Sequence, residues 1–140
     1  MCKTSLKVLI ADDSELLRER LTRLLSAIEG IEVAGEAPDG ATALQQVQVL
    51  KPDVLILDLR MPGGSGIEVL QQIRQKGGRI KVIILTSFPY PQYRERCLAA
   101  GADYFFDKSE ELELVRETLL QLRVEDHSAT VLPPAFFAVR

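Results

Sequence analysis

Three carboxylates, a hydroxyl and an ammonium stand at the ends of apolar runs in this chain. Asp12 and Asp13 follow LKVLIA, Asp58 follows DVLIL, Thr86 follows KVIIL, and Lys108 follows DYFFD. A set of carboxylates suits a hard divalent cation, which binds through oxygen. A carboxylate can also attack phosphorus to give an aspartyl phosphate. An ammonium and a hydroxyl can each hold an oxygen of the phosphoryl group in transit. Gathered in one place, the five side chains make a site for a cation and a phosphoryl group.

Gathering them needs a particular architecture. In an open parallel α/β sheet the carboxyl ends of all strands lie at one edge, where ligands bind. The chain alternates accordingly. Val8–Ala11 is a short apolar strand, and Leu17, Leu21, Leu24 and Ile28 follow at helical spacing. Gly30 closes that helix. Ile31–Ala37 is a second strand, and Leu44, Val47 and Leu50 mark a helix that Pro52 stops. Val54–Leu57 is apolar throughout, as a strand covered on both faces is. The stretch Met61–Gly66 is a loop by composition. Ile67, Leu70 and Ile73 make a third helix, ended by Gly77 and Gly78. Ile80–Leu85 is the fourth strand, Gln92–Ala100 the fourth helix, and Tyr104–Phe106 the fifth strand. Leu112, Val115, Leu119 and Leu122 define the fifth helix. Such alternation predicts one parallel sheet with right-handed crossovers.

Composition narrows the function classes. With 140 residues the chain is expected to form one domain. A net charge of -3 gives no basic footprint, so direct nucleic-acid binding is not expected. No apolar run approaches the roughly 20 residues that cross a bilayer, so no membrane partner is expected. The opening MCKTSLKVLIADDS does not read as a secretory signal. Cys2 and Cys97 have no zinc or CxxC spacing. A reduced, cytoplasmic protein is the expectation.

Each residue also has an ordinary role. Asp12 or Asp13 can cap the first helix. Thr86 fits a strand because it is β-branched, and Lys108 fits a solvated loop. Asp58 resists that treatment, because it ends an almost wholly apolar strand. Gly63, Gly64 and Gly66 match neither GxGxxG nor GxxxxGK[ST], so a turn is favoured over a phosphate-cradling loop. The single histidine, His127, lies beyond the last helical repeat.

The segments LIADDS (9–14), LILDLRMPGGSG (55–66), ILTS (84–87) and GADYFFDKS (101–109) carry a resemblance. The chain resembles the receiver domain of two-component response regulators, over residues 6–123. The DYFFDKS stretch is similar in style to receivers of nitrate-response-type regulators. The resemblance implies a flavodoxin-like, doubly wound five-stranded parallel sheet of order 2-1-3-4-5, with helices on both faces. It implies Asp58 as phosphoacceptor, assisted by Thr86 and Lys108. It implies Mg2+ held by Asp12, Asp13, Asp58 and the Arg60 backbone carbonyl. It implies a switch made of Thr86 and the aromatic residue three before the lysine, here Phe105. Phe105 has no hydroxyl, so any inward state must rest on packing. Ser109 stands where many receivers have proline, so a cis bond is not expected there. Bulky Arg60 and Phe88 flank the entrance and predict slow loss of the phosphoryl group.

The partners implied are a sensor histidine kinase or a phosphotransfer protein. A homodimer is open, through the fourth helix, fifth strand and fifth helix or through the C-terminal tail. Residues 1–123 are read as the receiver and 124–140 as that tail. Its Val131-Leu132 and Phe136-Phe137 lie outside the expected core and are expected to pack against something. Such a chain is a regulator, catalysing only its own phosphorylation and dephosphorylation. Two other classes remain. A haloacid-dehalogenase-type phosphatase also uses aspartate, Mg2+ and lysine, but typically carries an aspartate two residues after the nucleophile, where Arg60 stands. The other is an interaction domain that no longer accepts phosphate.

Overall fold

The computed structural model describes residues 5–62, 64–77 and 79–127. Five strands form one parallel sheet: β1 (Leu6–Ala11), β2 (Ile31–Ala37), β3 (Val54–Leu57), β4 (Lys81–Thr86) and β5 (Tyr104–Asp107). Their order is β2-β1-β3-β4-β5, with every neighbouring pair parallel. The five intervening helices are α1 (Glu15–Ser26), α2 (Gly40–Leu50), α3 (Gly66–Gln75), α4 (Pro91–Ala99) and α5 (Leu112–His127).

Strand alternation divides the core in two. Val8, Ile10, Val54, Ile56, Ile83, Leu85 and Phe106 point to one face, where α1 brings Leu17, Leu21 and Leu25 and α5 brings Val115, Leu119 and Leu122. Leu9, Ala11, Leu55, Leu57, Val82, Ile84 and Phe105 point to the other. There they meet Ala43 of α2, Leu70 and Ile73 of α3, and Cys97 of α4. Burial on both faces explains why the central strands read as unbroken apolar runs.

Several boundaries differ from the expectations. The cap of α1 is neither Asp12 nor Asp13 but Ser14, whose hydroxyl accepts from the Leu17 N–H at 3.2 Å. Both aspartates are thereby left for other work. The Met61–Gly66 loop contains a two-residue antiparallel hairpin, Arg60–Met61 against Gly64–Ser65. Ser65 then caps α3 in a reciprocal pair with Glu68. The fourth helix begins one residue early, because Pro91 suits the first helical turn. The fifth helix runs on through His127, four residues into the segment read as a tail. Val131-Leu132, Pro133-Pro134 and Phe136-Phe137 lie outside the described residues. No described helix is long and apolar enough to cross a membrane.

Candidate functional site

Three of the five residues are fixed by backbone bonds that extend the sheet past its strands. The Asp12 N–H donates to the Ala37 carbonyl at 2.9 Å, and the Asp58 N–H to that of Ala11 at 2.9 Å. The Lys108 N–H donates to the Thr86 carbonyl at 2.8 Å. The sheet thus places residues from four segments at one edge, as the rule for carboxyl ends requires.

The side chains meet around the Lys108 ammonium. Its Nζ lies 2.8 Å from Asp12 Oδ2 and 3.2 Å from Asp58 Oδ2. Asp12 and Asp58 are buried, at 2% and 5% exposure. Asp13 is exposed, yet a carboxylate oxygen from each of Asp12, Asp13 and Asp58 falls within 4.8 Å of the others. Asp12 Oδ1 accepts from the Ser14 N–H at 2.8 Å, which folds the turn into α1. Asp58 Oδ1 accepts a long contact, 3.4 Å, from the Arg60 N–H.

Electrostatics follows from that packing. Burial pushes the Asp58 carboxyl up to about 6 from 3.8, and the negative charge of Asp12 adds to it. The Lys108 ammonium opposes both. For Lys108 burial pulls downward, but the Asp12 hydrogen bond and the charges of Asp58 and Asp12 outweigh it, so its pKa rises. A second cation beside Asp13 and the outer Asp58 oxygen would relieve the remaining crowding of negative charge. The all-oxygen donor set, with both Oδ2 atoms engaged by lysine, fits a hard divalent ion.

Thr86 is fully buried at the end of β4. Its Oγ1 accepts from the Phe88 N–H at 2.9 Å, so the hydroxyl proton is left to donate elsewhere. Phe105 sits one strand over, 5% exposed, in the same core cluster as Cys97 of α4. Arg94 of α4 donates to the Phe105 carbonyl at 3.4 Å and lies 6.0 Å from its ring. The Arg60 guanidinium stacks over the Phe88 ring at 4.3 Å, joining the two residues expected at the entrance. No cis peptide occurs among the described residues. Cys97 is a buried hydrophobe whose thiol burial pushes up to about 11.

One positioning residue escaped the sequence reading. Gly66 opens α3 against the backbone of the site. A Cβ there would stand 2.3 Å from the Asp58 carbonyl oxygen and 3.1 Å from the Leu59 Cα. Its N–H donates to the Leu59 carbonyl at 2.8 Å. The signal was available: Ser65-Gly66-Ile67-Glu68 is a capping box that places Gly66 first in the helix.

The sequence profile of the response regulator receiver domain matches residues 8–120. The chain belongs to the response regulator receiver family. It is 35% identical to the response regulator GacA of Pseudomonas aeruginosa, over 84% of this chain and 55% of that one. It is 40% identical to the uncharacterized transcriptional regulatory protein YvfU of Bacillus subtilis, over 77% of this chain and 54% of that one. The chain therefore spans about half the length of these relatives. Among solved structures it resembles the signal receiver domain of the putative response regulator NarL from Mycobacterium tuberculosis. That match has a TM-score of 0.76 and 32% identity, covering 84% of this chain and 98% of that one. The flavodoxin-like architecture and the five-strand parallel sheet agree with that neighbour.

Proposed function

We propose that this receiver takes a phosphoryl group onto Asp58 from a phosphohistidine of a sensor histidine kinase or a phosphotransfer protein. A carboxylate oxygen of Asp58 bonds to phosphorus as the bond between phosphorus and the imidazole nitrogen breaks. The imidazole leaves with the electron pair. Lys108 neutralises charge on the oxygens in transit, and the Thr86 hydroxyl donates to one of them. Asp12, Asp13, Asp58 and the Arg60 carbonyl are proposed to hold Mg2+, which when bound offsets the repulsion between carboxylate and phosphate.

The observation that carries this reading is the Lys108 ammonium held between two buried carboxylates, with a third within 4.8 Å. The switch is proposed to run from Thr86 and Phe105 to α4, β5 and α5. Exposed Tyr90 and Leu98 on and beside α4 support that face as a partner surface, for a second copy of the chain among others. The proposed place of work is the cytoplasm. A DNA-binding output is proposed only for a longer protein that carries this receiver.

Phosphoramidate, a P–N donor like phosphohistidine, provides the test. With Mg2+ it should label the chain covalently while a generic phosphate ester is left intact. Rapid ester turnover would instead favour a phosphatase, and no label from any donor would favour a phosphorylation-independent interaction domain.

A further inference from the structure

The edge of the sheet opposite Asp58 carries a pocket of about 660 Å³. Leu6, Val54 and Ile80 at the amino ends of the strands floor it, and Leu44, Val47 and Leu122 wall it. That volume is within the range that takes a small ligand or two aromatic rings. Its floor and walls are apolar while charged side chains stand around them, the usual make-up of a site that takes an apolar group.

The chain itself carries a matching occupant. Leu122 lies on α5, five residues before its end at His127, or about 7–8 Å of helix rise. So the last described turn of α5 ends close to the pocket. Phe136 is nine residues further on, a span of about 30 Å when extended, which is ample to return. The stretch 128–139 reads SATVLPPAFFAV and carries no charge. It therefore brings no cation to a rim that already holds Lys51, Lys76, Arg79 and Lys81 against one carboxylate, Asp53. Pro133-Pro134 favours an extended, pre-ordered backbone, which lowers the entropy lost on docking.

We propose that residues 131–137 fold back in cis and seat Phe136 and Phe137 in this pocket. The docked segment lies at the far edge from Asp58, so it leaves the phosphoryl site open.

Methyl NMR on the full chain tests this. In the natural sequence, cross-relaxation should link the Phe136 and Phe137 rings to the methyls of Leu44, Val47 and Leu122. The double change Phe136→Ala with Phe137→Ala should shift those methyls and leave Ile84 and Leu85 in place, at any protein concentration. Methyls that neither shift nor show the cross-peaks would overturn the proposal. So would shifts that grow with concentration alongside a dimer mass, which would assign the pocket to a second copy. Cross-peaks to a co-purified small molecule, lost after unfolding and refolding, would also overturn it.

Discussion

The Lys108 ammonium, on the residue that follows β5, lies 3.2 Å from Asp58 Oδ2 at the end of β3. The same nitrogen bonds Asp12 at 2.8 Å, so one cation separates two buried anions. Replacing it by a neutral chain of similar length, Lys108→Met, leaves both carboxylates uncompensated. The expected cost is about 2 kcal/mol of stability in metal-free buffer at pH 7.5, measured by urea unfolding. Labelling by a small phosphodonor should slow about a hundredfold or more, the usual loss when one charge-stabilising donor is removed. An unchanged labelling rate would detach Lys108 from the chemistry.

The raised Asp58 pKa has a definite sign for stability. Its folded value, about 6, lies above 3.8, so the fold binds that proton more tightly than the unfolded chain. The penalty for a charged, buried Asp58 is absent below about pH 4, grows as pH rises through 6, and is complete above. Asp58→Asn should therefore raise the metal-free melting temperature at pH 7.5 and change it little at pH 4. Mg2+ at ten times its dissociation constant should stabilise the natural chain by about 1.4 kcal/mol. Asp13→Ala and Asp58→Asn should each lose most of that gain. Equal Mg2+ shifts in all three proteins would contradict the proposed ligands.

Arg60 and Phe88, the two residues expected to flank the entrance, stack on each other at 4.3 Å. A cation–π pair at a partly exposed site is worth about 0.5–1 kcal/mol. If water must part this pair to reach the phosphoryl group, Arg60→Ala or Phe88→Ala should shorten its half-life about two- to fivefold. Half-lives unchanged in both variants would remove the gate.

Gly66 fixes the height of Asp58. Gly66→Ala drives a methyl into the Asp58 carbonyl at 2.3 Å. Overpacking of this kind costs about 1–3 kcal/mol, and here the shift falls on the acceptor itself, so labelling should slow as well. Gly77→Ala is the control. Nothing lies within 4 Å of its Cβ, and its φ of +77° costs about 1 kcal/mol of left-handed strain without touching the site. Equal labelling by the two variants would contradict the positioning role.

The sheet was legible because its information is local. Val54–Leu57 is apolar at every position, and both faces of β3 are covered. Polar residues at strand ends stand out against such runs, so Asp12, Asp58, Thr86 and Lys108 could be picked by eye. Helix ends were less legible. The fifth helix loses its apolar period after Leu122, yet no glycine or proline stops it before Pro133, so backbone hydrogen bonding carries it to His127. The choice of Ser14 over two adjacent aspartates as cap depends on what else those aspartates bond. Asp12 is drawn to Lys108, a partner 96 positions away in sequence. The Arg60–Phe88 stack and the Gly66–Asp58 contact are likewise tertiary, and no spacing in the sequence encodes them.

The most direct test of the account is intact-mass measurement after incubation with acetyl phosphate and Mg2+. The natural chain should gain the mass of one phosphoryl group, acid-stable and lost in mild alkali, and it should gain none when the metal is chelated. Asp58→Asn should stay unlabelled under the same conditions. Full labelling of Asp58→Asn, or of the natural chain without metal, would contradict the claim that Asp58 is the acceptor within a cation-holding acidic site.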